Sequence, residues 1–328
     1  MNIKCVAIAC ALGILFASGC RETEETDFTE ELDENAGADM ADYMVIDLAD
    51  GPKTLSYPVR YTSTAPNLNN DVCRTTELWF RLIPAGTFIM GSPDTERGRN
   101  ADETPHPVTL TKPFYMGIFQ VTQTQYTLVM GGTNPAKEKG DPRPAERISY
   151  DMLRGSAAGS KWPLDNEVDP ASFFGKLRAK TDLPIDLPTE AQWEHACRAA
   201  TPNALNNGKD LTAEDKCPNL KHTARYHATA NDGKWGYSGK HTKVGMYQPN
   251  AWGLYDTHGN VTEWCLDWYD LYPDALATDP RGPDTGNGRI QRGGSYTAPA
   301  SACRSAHRAK SYPYENEETS GFRASIQP

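Results

Sequence analysis

Residues Asn250–Trp268 read NAWGLYDTHGNVTEWCLDW and pack three tryptophans, three carboxylates, two glycines and a cysteine into one short stretch. Trp252, Leu254, Val261, Trp264 and Trp268 supply bulk for a core. Asp256, Gly259, Asn260 and Glu263 are spaced for a tight polar turn inside that bulk. A turn so placed is buried, and buried polar atoms need partners. Either protein groups or a hard cation could supply them.

Working outward, the 328-residue chain is long enough for one large domain with extensions or for two ordinary domains. Charged residues make up 23% and the formal net charge is −10. That balance disfavours nucleic acid, whose binders carry basic patches. Gly and Pro are abundant (27 and 24) and long helical patterns are scarce, which points to a loop-rich α+β protein with short strands and a few capped helices.

The N-terminus reads as an export signal. Lys4 precedes a short apolar run, Cys5–Phe16, too brief for an ordinary membrane span, and Ala17-Ser18-Gly19-Cys20 supplies small residues for cleavage. The order Leu15-Phe16-Ala17-Ser18-Gly19-Cys20 resembles a bacterial lipoprotein signal. That resemblance implies a signal peptide over 1–19 and acylation at Cys20. The mature protein would then sit on the periplasmic or cell-surface side of a membrane, held by lipid. Two or more acyl chains make a stable anchor where one does not. Residues 20–42 read as an acidic disordered tether; twelve Asp/Glu and one Arg fall within Arg21–Asp50. In an oxidising compartment Cys73, Cys197, Cys217, Cys265 and Cys303 remain, an odd number that leaves at least one thiol unpaired or paired with another chain.

Over 43–76, Met44, Ile46 and Leu48 alternate, Gly51-Pro52 turns, and Tyr57, Val59 and Tyr61 alternate again. This predicts a β-hairpin docked on a main domain spanning 77–328. Trp79–Met90 reads as two strands broken at Pro84-Ala85-Gly86, and Val108–Phe119 resumes strand spacing. Thr122/Gln125 and Thr189/Gln192 are T-x-x-Q capping boxes that start helices over Gln123–Met130 and Glu190–Ala200. Asp169-Pro170 predicts a third helix over Ala171–Lys180. Thr201–Gln248 reads as loop, and its histidines His222, His227 and His241 match no usual zinc spacing. Arg292, Arg304, Arg308 and Arg323 are set to neutralise carboxylates such as Glu190, Glu194, Glu263 and Asp267 inside the fold.

Seven words run in order from about Trp79 to Arg323: Ile83–Ser92 (IPAGTFIMGS), Val121–Tyr126 (VTQTQY), Leu187–Glu194 (LPTEAQWE), Asn250–Trp268, Arg292–Ser295 (RGGS), Cys303–Ala306 (CRSA) and Gly321–Arg323 (GFR). Together they resemble the formylglycine-generating enzyme, or sulfatase-modifying factor, family. The resemblance implies a C-type-lectin-like fold. It implies structural calcium held by the side chains of Asp256 and Glu263 and the carbonyls of Gly259 and Val261, all oxygen donors as a hard cation requires.

It also implies an activity, oxidation of a client protein's cysteine to formylglycine with oxygen and copper. Family copper is held by two thiolates five residues apart, just after RGGS, and soft cuprous ion suits such ligands. Here the first thiolate position is Ala298, the following histidine position is Pro299, and only the second is a cysteine, Cys303. Ser295 of the RGGS word is retained as a candidate catalytic residue beside Cys303. The resemblance offers Cys303 another role, a disulfide to Cys197. Two functions stay open: an oxidase with an altered copper site, or a non-catalytic lectin-like binding or scaffold module with a protein client or envelope partner.

Overall fold

The computed structural model describes residues 40–230, 239–273 and 275–326. The expected signal peptide, Cys20 and the tether as far as residue 39 lie outside the described residues. Within them, no helix is long and apolar enough to cross a membrane.

Tyr43–Asp47 (β1) pairs antiparallel with Val59–Thr62 (β2) on one edge and with Glu77–Ile83 (β3) on the other. The expected hairpin is therefore part of the principal sheet. Val45, which alternation alone would turn toward solvent, is fully buried because β1 is covered on both faces. A short helix, Val72–Thr75 (α1), leads into β3. Gly86–Met90 (β4) and His106–Leu110 (β5) pair antiparallel, and Phe114–Gly117 (β6) returns to β3.

Gln123–Met130 (α2) begins at the expected capping box, with Thr122 accepting from the Gln125 amide and Gln125 reaching back to the Thr122 amide. Tyr150–Arg154 (α3) is a short helix capped by Ser149. The third expected helix is Phe173–Thr181 (α4), and its cap is Ser172 rather than Asp169. The cause is a close approach: a Cβ on Gly175 would lie 2.0 Å from the Asp169 carbonyl, so Asp169-Pro170 crosses the first turn instead of entering it. Ile185–Asp186 (β7) precedes Glu190–Arg198 (α5), whose box is complete and whose C-cap, Ala199, is left-handed. Every residue of α5 is buried.

Ala224–Arg225 (β8), His227–Ala230 (α6), His258–Gly259 (β9), Thr262–Trp268 (β10), Ala277–Thr278 (β11), Arg289–Arg292 (β12), Ala309–Ser311 (β13), Ser320–Gly321 (β14) and Ser325–Ile326 (β15) complete the set. The principal sheet has the order β2-β1-β3-β6-β15-β7, with β3 and β6 between its first strand and its last. A second sheet runs β13-β12-β10-β14.

Strand alternation divides the interior. Leu78 and Phe80 of β3 face one core with Tyr126, Phe173, Phe174 and Trp264, while Trp79 and Ile83 face a second with Met116, Trp193, Cys265 and Ile290. Full burial of side chains of this size contributes about 1.5–3 kcal/mol each. A third, smaller core joins Leu205, Leu211, Cys217, Leu220, Tyr226, Ala300 and Cys303. The stretch expected to be loop thus supplies its own apolar cluster.

Candidate functional site

The polar turn closes in the middle of the fold. Asp256, Gly259 and Asn260 have φ of 57°, 83° and 65°, and the carbonyls of Asp256, Gly259 and Val261 turn toward one point. Glu263, the first buried residue of β10, is fully satisfied. Its carboxylate accepts from Arg323 Nη2 (2.7 Å) and Nε (2.9 Å), from Trp193 Nε1 (2.7 Å) and from Gln120 Nε2 (2.9 Å). The positions expected to bind calcium are indeed neighbours, but they surround a nitrogen. Gln120 Nε2 lies 3.2 Å from the Gly259 carbonyl and 2.9 Å from the Val261 carbonyl.

The fourth expected ligand faces elsewhere. Asp256 offers its backbone carbonyl to Gln120 at 3.2 Å, while its carboxylate turns to accept from the Gly245 amide at 2.6 Å. Burial pushes that carboxyl up to about 6. Calcium takes six to eight oxygens at about 2.3–2.6 Å. Here Gln120 Nε2 holds the place between these carbonyls and the Glu263 carboxylate, and Asp256 Oδ1 is buried without a hydrogen-bond partner among the described residues.

The arginine set behaves largely as its composition predicts. Arg292 pairs with Glu194, Arg308 binds Glu190 through Nε (2.7 Å) and Nη2 (2.9 Å), and Arg323 takes Glu263. Arg304 departs from the expected partners and clamps Glu103, at 2.7 Å from each guanidinium nitrogen involved, and Glu96. Among the described residues no arginine hydrogen-bonds Asp267; its carboxylate accepts from the Glu190 amide at 2.8 Å. Burial and the Glu190 charge push it up to about 7.

The RGGS word ends β12 and turns at Gly293 and Gly294, with φ of 89° and 70°. A Cβ on Gly294 would lie 2.7 Å from Cys303 Sγ, so the glycine is what lets the turn lie on the sulfur. Ser295 spends its hydroxyl on the Thr297 amide (3.3 Å), and its carbonyl accepts from the Ala298 amide (3.0 Å). Cys303 has no exposed surface, and burial pushes its thiol up to about 12. A thiol held there is neutral at pH 7 and is neither a ready nucleophile nor a ready ligand. Ala298 is partly buried against the same small core. These positions offer one sulfur, and no cluster of three or more His, Cys, Asp or Glu suited to a metal occurs among the described residues.

The disulfide implied between Cys197 and Cys303 is not formed; both are free thiols. They belong to different cores, and Cys197 Sγ instead faces the Thr257 carbonyl (3.9 Å) and Ser305 Oγ (3.7 Å). Cys73, Cys217 and Cys265 are likewise free and buried.

The profile of the sulfatase-modifying factor enzyme 1-like domain matches residues 66–327. The chain belongs to this family. It is 29% identical over 290 residues to the formylglycine-generating enzyme of Thermomonospora curvata, covering 75% of this chain and 92% of that one. It is 31% identical over 286 residues to the Streptomyces coelicolor enzyme, covering 74% and 87%. Among solved structures, PvdO from Pseudomonas aeruginosa superposes with a TM-score of 0.62 at 27% identity, covering 76% of this chain and 95% of that one. The α+β, C-type-lectin-like architecture expected of the family is the one observed.

The residue that sequence reading missed is Gln120. It follows Ile118-Phe119 and precedes Val121 in an apolar run, and it is completely buried. A lone amide in such a run needs partners on every polar atom, and that was the available signal.

Proposed function

We propose that this member of the sulfatase-modifying factor family does not carry out copper-dependent cysteine oxidation. It acts instead as a binding or scaffold module for a protein client or envelope partner. It is displayed on the periplasmic or cell-surface side of a membrane by lipid at Cys20 and held off that surface by the acidic tether.

The observation that carries this reading is Ala298. A bis-thiolate centre needs two sulfurs to hold cuprous ion, and the position that would supply the first has a methyl group. The position that supplies the second, Cys303, lies in an apolar core under Gly294, where ionisation is costly. Where copper is bound in relatives it supplies the oxygen chemistry. This chain's own residues there pack instead: Ser295 holds the turn, and Cys303 fills the space beneath it. The fold itself does not choose between these functions, since function lives in the site and not in the scaffold.

Titration with cuprous ion under reducing conditions tests the proposal, followed by oxygen uptake on a peptide bearing a Cys-x-Pro-x-Arg motif. The expected result is no stoichiometric tight copper and no turnover. One equivalent of tightly held copper with turnover on that peptide would overturn it.

A further inference from the structure

We propose that the Gln120 side-chain amide takes the place of the calcium ion at the Asp256–Glu263 turn, so that this chain builds its central turn without metal. Four oxygens converge on Gln120 Nε2: the carbonyls of Asp256, Gly259 and Val261 and the Glu263 carboxylate, at 3.2, 3.2, 2.9 and 2.9 Å. These are N–H···O distances, well beyond calcium–oxygen bonds.

The direction of the amide is fixed by its neighbours. The Thr242 backbone N–H, which can only donate, bonds Asn260 Oδ1 at 2.9 Å. Asn260 Nδ2 must therefore be a donor, and it lies 3.0 Å from Gln120 Oε1. Gln120 Oε1 is thereby the acceptor, which leaves Nε2 to face the four oxygens. Flipping Gln120 would set oxygen against four oxygens and a donor against a donor.

Charge points the same way. Glu263 is the one acid whose side chain enters the ring, and Arg323 already neutralises it through two hydrogen bonds. A dication would arrive beside a guanidinium, and the other acid of the turn, Asp256, sets its carboxylate on the Gly245 amide and gives the ring only its backbone carbonyl. A neutral –NH2 fits instead: its two protons, each shared between oxygens, satisfy the carbonyls and leave the Glu263–Arg323 balance untouched. The left-handed residues at Asp256, Gly259 and Asn260 serve equally well to aim carbonyls at a cation or at this nitrogen.

Thermal unfolding and calorimetric calcium titration of the purified full-length chain, with and without chelator, test the assignment. The expected result is an unchanged melting temperature and no calcium uptake. One equivalent of calcium bound, with a melting temperature that falls in chelator, would overturn it. A Gln120→Glu variant gives an independent arm. It removes the amide donors and adds the negative charge that a cation needs. It is expected to melt lower than the parent in chelator and to regain roughly 5–10 °C at calcium about a hundred-fold above its Kd. If that variant folds only when calcium is present, the assignment is equally supported. If it is indifferent to calcium, whether folded or unfolded, the nitrogen does not occupy a cation's place and the assignment falls.

Discussion

Glu263 and Arg323 meet as a two-pronged pair with 1% or less of either side chain exposed, joining the start of β10 to the chain's last turn before β15. The same guanidinium donates to the carbonyls of Gly117 (2.9 Å) and Tyr255 (2.8 Å), so one side chain ties four segments. A buried pair of this kind adds little over an apolar replacement, but breaking it strands a charge. Glu263→Gln should therefore destabilise the domain by about 3–5 kcal/mol, read as a lower denaturant midpoint with an unchanged slope. The double variant Glu263→Gln/Arg323→Met should recover part of that loss, because the stranded cation is gone. A single variant as stable as the parent would show that Arg323 finds another counter-charge.

Thiol chemistry gives a second prediction. Cys73, Cys197, Cys217, Cys265 and Cys303 are all buried and free. Burial pushes Cys197 up to about 11 and Cys303 up to about 12, so neither offers thiolate at neutral pH. In the native protein, pulse alkylation followed by peptide mapping should leave these two unmodified, and labelling should appear only with unfolding. Reducing agent should not move the melting temperature, since none of these five is held in a cystine. A map joining Cys197 to Cys303 would contradict the structure directly.

Much of the fold was legible because local chemistry and tertiary structure agree in it. The boxes at Thr122/Gln125 and Thr189/Gln192 start helices where side-chain and backbone bonds alone would start them. Pro84-Ala85-Gly86 separates two strands for reasons visible in three residues. What was not legible depends on contacts distant in sequence. Val45 is buried because a second core, with Trp79 and Met116, packs on its face of β1, and α4 starts late because Asp169 lies on Gly175. At the candidate site, the sequence placed Asp256, Gly259, Val261 and Glu263 together. It could not show that a glutamine more than a hundred positions earlier fills the space between them. Nor could spacing tell Cys197 and Cys303 as a bridge from two thiols in separate cores.

The last prediction concerns pH. Asp267 is 4% exposed and its carboxylate accepts from the Glu190 amide, while burial and the Glu190 carboxylate both resist its ionisation. Its folded value of about 7 stands above the ordinary 3.8. Between those two values the folded state holds a proton that the unfolded state has released, so stability falls as pH rises through the window. The contribution is fully present below about pH 4 and is lost above about pH 7, a span on the order of 4 kcal/mol. Asp267→Asn keeps an oxygen for the Glu190 amide and cannot ionise. Denaturant unfolding should therefore find the variant more stable than the parent near neutral pH and close to it near pH 4. Parallel stability curves for the two proteins across that range would show that another group sets the slope.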